Sequence, residues 1–363
     1  MPDFKGLFQK PTPDWEAFLR TIRREGTPVR AHNIELFLET EYITTIRERF
    51  GVGSELCPAD PFFTNKLRLA VLRFLNFDYV YAYPEGFMWP FNSAGTADTP
   101  GEMRSSRSFM EEHRGPITTW EEFEKFPWPD PNLPGAMTHF EWLEKNLPDD
   151  MCIVGGGLGN FCEYLCWLPG YEKLCYLLYD DRKLVRAIAD RIAEFFKIVA
   201  ARMLQFPRVK VLFPTDDMGF KSHTLVSPDD LREFVLPGHT AITKMAHDAG
   251  RLCVLHSCGM LGGVWDDLID DCKLDGLHSF EDTIDDVRDL KKAYGSKVAL
   301  LGGIDVDFLC RASEAEIRKR VRNTLEVCSP GGGYLLGTGS SPAPYMPLDN
   351  YLTMIDEGRR WRP

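Results

Sequence analysis

The sequence predicts an α/β fold: a (β/α)8 TIM barrel with a helical N-terminal extension and a long insertion after the second strand. Three observations carry this. Eight short apolar runs alternate with amphipathic helical stretches, a pattern that demands a parallel sheet. Eight such units over 363 residues fit a barrel better than a doubly wound open sheet. Polar and ionisable residues follow nearly every apolar run, whereas turn residues precede them (Pro207-Arg208, Gly250-Arg251, Gly295-Ser296, Pro330-Gly331). That asymmetry is expected of a barrel with one functional face.

Residues 1–25 read as the helical extension, within a single domain spanning 1–363. The first strand is expected at Thr27–Ala31, followed by His32, Asn33 and Glu35. The second, Asp78–Ala82, leads to Tyr83, Glu85, Phe87 and Trp89. Residues 84–150 then break the pattern with proline, aromatic and charged residues. An excursion of that length is a lid-like cover, a contact surface or a packed decoration. Strand three, Cys152–Gly156, runs through glycines to Asn160 and Glu163. Strand four, Val209–Phe213, ends at Asp216-Asp217. Strand five, Leu252–His256, is followed by Cys258. Strands six to eight are Leu274–His278, Lys297–Leu301 and Gly333–Gly337. They are followed by Ser279 and Glu281, by Asp305, and by Thr338, Ser340 and Ser341. Helices are expected between them at Lys183–Gln205, Asp229–Asp248, Val264–Cys272, Ile284–Tyr294 and Glu314–Val327. Ser227 before Pro228 reads as a helix start, and Ser313 with Glu316 as a capping box.

Composition narrows the function. A net charge of −12 argues against a broad nucleic-acid or anionic-membrane surface. No apolar run is long enough to span a bilayer, and the first residues lack a secretory pattern. Ten scattered cysteines without a CxxC pair are expected to be reduced thiols in a cytoplasmic protein. Gly155-Gly-Gly-Leu-Gly159 has the spacing of neither a dinucleotide fingerprint nor a P-loop.

His256 and Cys258 are the most informative pair, because residues two apart at a strand end point to one side. They could hold a metal, position a substrate or pack inertly. Zinc needs a third protein ligand, for which Glu163, Asp217 and Glu281 are the candidates. Asp216 and Asp217 are either an acid or metal-ligating pair or a cap at the loop start. Glu163 either faces the mouth or favours the dipole of a first helical turn. Asp305 either contacts substrate or anchors backbone.

These segments together resemble the uroporphyrinogen decarboxylase superfamily. The matching pieces are Phe213-Pro-Thr-Asp-Asp-Met-Gly219, Ser227–Pro237, His256-Ser-Cys-Gly259, Gly302-Gly-Ile-Asp305, Gly331-Gly-Gly-Tyr334 and Pro347-Leu-Asp-Asn350. The resemblance implies a barrel. The arginine-rich amino-terminal signature of its porphyrin-precursor decarboxylases is not found, and His-x-Cys-Gly points to its corrinoid-dependent methyltransferase branch. Thiol-methylating members complete a zinc site with a Gly-Cys-Gly cysteine; here Gly337-Thr-Gly-Ser-Ser341 stands instead. The likeness is therefore to O-demethylase methyltransferases, which pass a methyl group from a methoxylated, here aromatic, substrate to a corrinoid protein. It implies cobalamin carried by that partner, zinc as a candidate ion, and a homodimer by analogy. Asp217, His256, Glu163 and Asp216 are the expected catalytic residues. Phe87, Trp89, Tyr334, Tyr345, His278 and Asp305 are the expected substrate contacts. The alternatives are a decarboxylase of a tetrapyrrole or other carboxylate, and a corrinoid- or tetrapyrrole-binding protein without turnover.

Overall fold

Valine, isoleucine and leucine occupy both faces of the short apolar runs, and strands of that kind need parallel neighbours and covering helices. A computed structural model describes residues 3–95 and 108–363 and shows that arrangement. The strands are β1 (Tyr79–Ala82), β4 (Cys152–Gly155), β5 (Val209–Leu212), β6 (Leu252–His256), β7 (Gly276–His278), β8 (Ala299–Leu301) and β9 (Tyr334–Leu335). They form one seven-stranded sheet in the order β1-β4-β5-β6-β7-β8-β9, with every pairing parallel. Chain order equals spatial order, so the sheet curls in one direction into a TIM-barrel-like α/β fold. A separate antiparallel hairpin joins β2 (Ser93–Gly95) to β3 (Ser108–Met110). Residues 1–2 and 96–107, which belong to the expected extension and insertion, lie outside the described residues.

Seven of the expected strands are present, trimmed by at most two residues at an end. The first is not a strand. Pro28 offers no N–H to a ladder, Val29 is 77% exposed, and Arg30 turns back to hydrogen-bond Thr12 and Asp78. Pairing comes a few residues later, as a parallel bridge between Asn33 and Leu336 beyond β9. On its other side this segment meets β1 where Glu35 N–H donates to Tyr79 Oη (2.9 Å), and the end of the preceding helix where Asn33 Nδ2 donates to the Leu75 carbonyl (3.2 Å). The expected helix Asp229–Asp248 divides into Pro228–Phe234 and Leu236–Asp248, with Pro237 in the first turn of the second.

Residues 87–91, which follow β1, pack against helices that cover the sheet. Phe87 meets Phe195 at 4.9 Å between ring centroids, and Trp89 meets Tyr164 at 4.7 Å and Phe195 at 5.0 Å. Tyr164 and Phe195 come from the helices Phe161–Trp167 and Arg182–Met203. No helix among the described residues is long and apolar enough to cross a membrane.

Glu35 is buried at the seam and accepts from the Thr338 backbone N–H (3.0 Å) and Oγ1 (2.6 Å). Burial pushes its carboxyl pKa from 4.5 up to about 8, against the opposing pull of those two bonds. Between these values the folded protein holds a proton that the unfolded chain releases, so rising pH destabilises the fold. The contribution is complete below about pH 4.5 and is lost as pH passes about 8. Urea unfolding of wild type is expected to show the Glu35 contribution to stability falling between about pH 5 and about pH 8, with a flatter profile for Glu35→Gln.

Candidate active site

The carboxyl ends of β1, β4, β5 and β6 surround a cavity of about 480 Å3. Tyr81 and Tyr83 come from β1 and the residues after it. Asn160 and Glu163 come from the turn and helix after β4. Thr215 and Asp217 follow β5, and His256 ends β6. Phe37, Leu38, Glu39 and Arg68 complete the wall from the chain that precedes β1.

His256, Cys258 and Asp217 meet at one side of this space. His256 Nε2 lies 3.5 Å from Cys258 Sγ and 3.4 Å from Asp217 Oδ1, and one ligand atom from each lies within 4.8 Å of the others. The Cys258 backbone N–H also donates to Asp217 Oδ1 (2.9 Å). The two loops that carry them touch backbone to backbone. Gly219 N–H donates to the Cys258 carbonyl (3.2 Å) and Met260 N–H to the Phe220 carbonyl (2.8 Å). A Cβ on Gly219 would stand 2.7 Å from the Gly259 carbonyl carbon, and Gly259 has φ +84°, so both positions suit glycine.

The other ring nitrogen of His256, Nδ1, lies 2.7 Å from Nδ1 of His278. Burial, reinforced by positive charge on His256, holds His278 well below the usual histidine pKa. A neutral His278 can accept from His256 Nδ1–H, which leaves His256 Nε2 aimed at Asp217 and Cys258. Burial disfavours a charge on His256, but Asp217 and Cys258 outweigh it and push the pKa up to about 10. Burial likewise opposes the Asp217 charge, yet its bonds with His256 and Cys258 hold that carboxyl below its ordinary value.

Glu163 stands in the first turn of Phe161–Trp167 and accepts from Asn160 Nδ2 (2.6 Å). Burial, then the nearby Asp217 and Asp216 charges, push its pKa up to about 8, so it holds a proton at neutral pH. Asp216 does not line the cavity. It is fully buried, accepts from the backbone N–H groups of Cys162 (2.8 Å) and Glu163 (3.0 Å), and lies 2.8 Å from His239 Nε2. Asp216 thus ties the loop after β5 to the helix that carries Glu163.

The remaining expected site residues lie elsewhere. Phe87 and Trp89 are in the aromatic cluster with Phe195 and Tyr164, and Tyr334 is buried in β9 and lines none of the described cavities. His278 acts through His256. Glu281, Asp305 and Tyr345 line an open groove at the ends of β7, β8 and β9, and Glu281 is outside the donor group. Asp305 accepts from the backbone N–H groups of Asp282 and Phe308, both at 2.9 Å, and caps Val306–Arg311. Sequence reasoning missed His239, Tyr81, Arg68 and Phe37. The first is a lone histidine in a helix, and the others precede the motifs that draw attention to a site.

Residues 110–361 match the family Uroporphyrinogen decarboxylase (URO-D). The chain belongs to that family. A uroporphyrinogen decarboxylase from Pseudoalteromonas atlantica is 23% identical over 250 residues, 66% of this chain and 68% of that protein. A methylated-thiol–coenzyme M methyltransferase from Methanosarcina mazei is 26% identical over 190 residues, 52% of this chain. That match spans 48% of the methyltransferase, about half its length. The solved structure of a methyltransferase from Methanosarcina mazei superposes with a TM-score of 0.67 and 18% identity. The superposition covers 95% of this chain and 97% of that one, a likeness of fold.

Removing the His239 imidazole leaves the fully buried Asp216 carboxyl without one of its hydrogen-bond partners and opens a cavity beside it. His239→Ala is therefore expected to cost on the order of 3 kcal/mol in urea unfolding.

Proposed function

We propose that this URO-D family member is a corrinoid-dependent methyltransferase that demethylates a methoxylated, preferably aromatic, substrate. The observation that carries the reading is a cavity lined by Glu163, Asp217 and His256, the last two grouped with Cys258, whose remaining lining includes Tyr81, Tyr83 and Phe37. The volume is that of a small-molecule site, about 300–1,000 Å3.

An ether is hard to cleave because its oxygen leaves as an alkoxide or phenoxide. A reduced corrinoid on a partner protein supplies the nucleophile that takes the methyl carbon. This chain then has two tasks: to hold the ring and to stabilise the oxygen as the carbon–oxygen bond breaks. Glu163 carries a proton at neutral pH and faces the cavity, so it can deliver that proton to the departing oxygen and release a neutral alcohol or phenol. Tyr81, Tyr83 and Phe37 supply aromatic surface for the ring. Asn160 fixes the Glu163 carboxyl, and Asp216 fixes the start of its helix.

The donor set also fits zinc. A tetrahedral ion with bonds of about 2.0–2.3 Å needs donors about 3.3–3.8 Å apart, and His256 Nε2 already stands 3.4 Å and 3.5 Å from its two neighbours. Asp217, from the loop after β5, would be the third protein ligand, a role that thiol-methylating members of the superfamily give to a cysteine after the last strand. His278 orients the imidazole from behind. An ion held there supplies Lewis-acid polarisation of the ether oxygen.

The uroporphyrinogen decarboxylase relatives favour a second reading, loss of CO2 from a carboxylate. The cavity chemistry runs against a polycarboxylate: among the described residues Arg68 is the one arginine on a wall that also carries Glu39, Glu163 and Asp217.

Incubation with cob(I)alamin and methoxybenzenes, with uroporphyrinogen in parallel, separates the readings. Methyl transfer is expected, and Glu163→Gln should slow it by about 10²–10⁴-fold without altering the circular dichroism spectrum. Loss of CO2 from uroporphyrinogen without methyl transfer would favour the second reading, and binding of the corrinoid without turnover would favour a non-enzymatic role. Elemental analysis is expected to find zinc in wild type and little in Cys258→Ala; equal metal in both would remove Cys258 from the ligand set.

A further inference from the structure

Arg68 is the one guanidinium on the cavity wall among the described residues, and none of the acids on that wall forms an ion pair with it. It comes from the helix Phe63–Phe74, is half-buried, and makes no hydrogen bond or ion pair among the described residues. The neighbouring arginines of the same region are all engaged. Arg73 pairs with Asp150, Arg47 lies over Phe63, and Arg30 pairs with Asp78. A half-buried guanidinium on a cavity wall keeps donors free for a ligand anion, which it can bind with charge-assisted hydrogen bonds.

Its surroundings define that anion. Arg68 also lines a smaller adjoining hollow with Phe37, Leu38, Tyr81 and Glu35, whose buried carboxyl keeps its proton, and this hollow includes none of Glu163, Asp217 and His256. The cation therefore stands on the aromatic side of the cavity, with Glu39 on the same wall and apart from the group of Asp217, His256 and Cys258. His139, buried beside Tyr83, has Nε2 without a partner and a pKa pushed down to about 4 by burial and then by the Arg68 charge. It is neutral at pH 7, so it neither cancels nor duplicates the positive charge.

We infer that Arg68 binds a carboxylate on the substrate, so that the methyl donor is an aromatic acid bearing a methoxy group. The inference rests on the proposed methyl transfer for the methoxy end and on Arg68 alone for the acid end. The ring would lie among Phe37, Tyr81 and Tyr83, with its carboxylate on the guanidinium and its ether oxygen toward Glu163. A planar fork recognises a carboxylate with two parallel bonds, which a lysine cannot reproduce. One arginine suits one carboxylate, and a second acid group on the ligand would meet Glu163 or Asp217.

Calorimetric titration of 4-methoxybenzoate and its neutral isostere 4-methoxybenzamide into wild type, Arg68→Met and Arg68→Lys tests this. Wild type is expected to bind the acid about 10- to 100-fold more tightly than the amide. Arg68→Met should lose that preference while binding the amide as wild type does, and Arg68→Lys should keep part of it. Equal binding of both ligands to wild type, no saturable binding of the acid, or a preference that survives in Arg68→Met would overturn the assignment. Arg68-dependent binding of the acid with no transfer of its methyl group to cob(I)alamin would defeat the methyl-transfer reading and leave the carboxylate site standing.

Discussion

Two loops meet without side chains between them, and the candidate site depends on that contact. The chain after β5 and the chain after β6 run close enough at Gly219 and Gly259 for carbonyl and amide groups to bond directly. The approach brings Asp217 within reach of both the His256 ring and the Cys258 amide. A parallel sheet supplies the starting geometry, because adjacent strands end together. It does not supply the last few ångströms. Those come from two glycines, and from Asp216, whose carboxylate grips the start of the next helix from below.

The cavity is polarised as a result. The metal-competent group and Glu163 gather where β4, β5 and β6 end, while tyrosines, a phenylalanine, an arginine and Glu39 stand on the side built from β1 and the segments before it. The pKa shifts follow the same division. Glu163 keeps its proton because it is buried near two other carboxylates, whereas Asp217 keeps its charge because His256 and Cys258 bond to it. Neighbouring acids with opposed protonation states are a familiar way to separate proton donation from charge stabilisation at one pH. The family scaffold holds the barrel and the strand ends, and the chemistry is set by which side chains stand at those ends.

Much of this was legible in the sequence. Alternating apolar runs and helices specify the parallel sheet, and reading the residues after each run finds Glu163, Asp217, His256 and Cys258. The same reading fails where tertiary context decides. Thr27–Ala31 has strand-like composition, but Pro28 and the pull of Asp78 on Arg30 divert it, and the bridge forms at Asn33 instead. Asp216 and Asp217 look equivalent as neighbours. Alternation sends one beneath the helix and the other into the cavity. Phe87 and Trp89 lie close in sequence to β1, yet they pack on Phe195 and Tyr164, and the aromatic lining comes from Tyr81, Tyr83 and Phe37. Arg68 could not be found by motif, since its role follows from what it lacks.

The central claim is that a methoxylated ring binds between the ends of β1, β4, β5 and β6 with its ether oxygen toward the acidic wall. A crystal structure of the protein with a bound methoxyarene tests it most directly. The account places that oxygen within hydrogen-bonding distance of Glu163 or beside the Asp217, His256 and Cys258 group. A ring seated in the groove by Asp305 and Tyr345, or with its methoxy group turned away from Glu163 and His256, would contradict it.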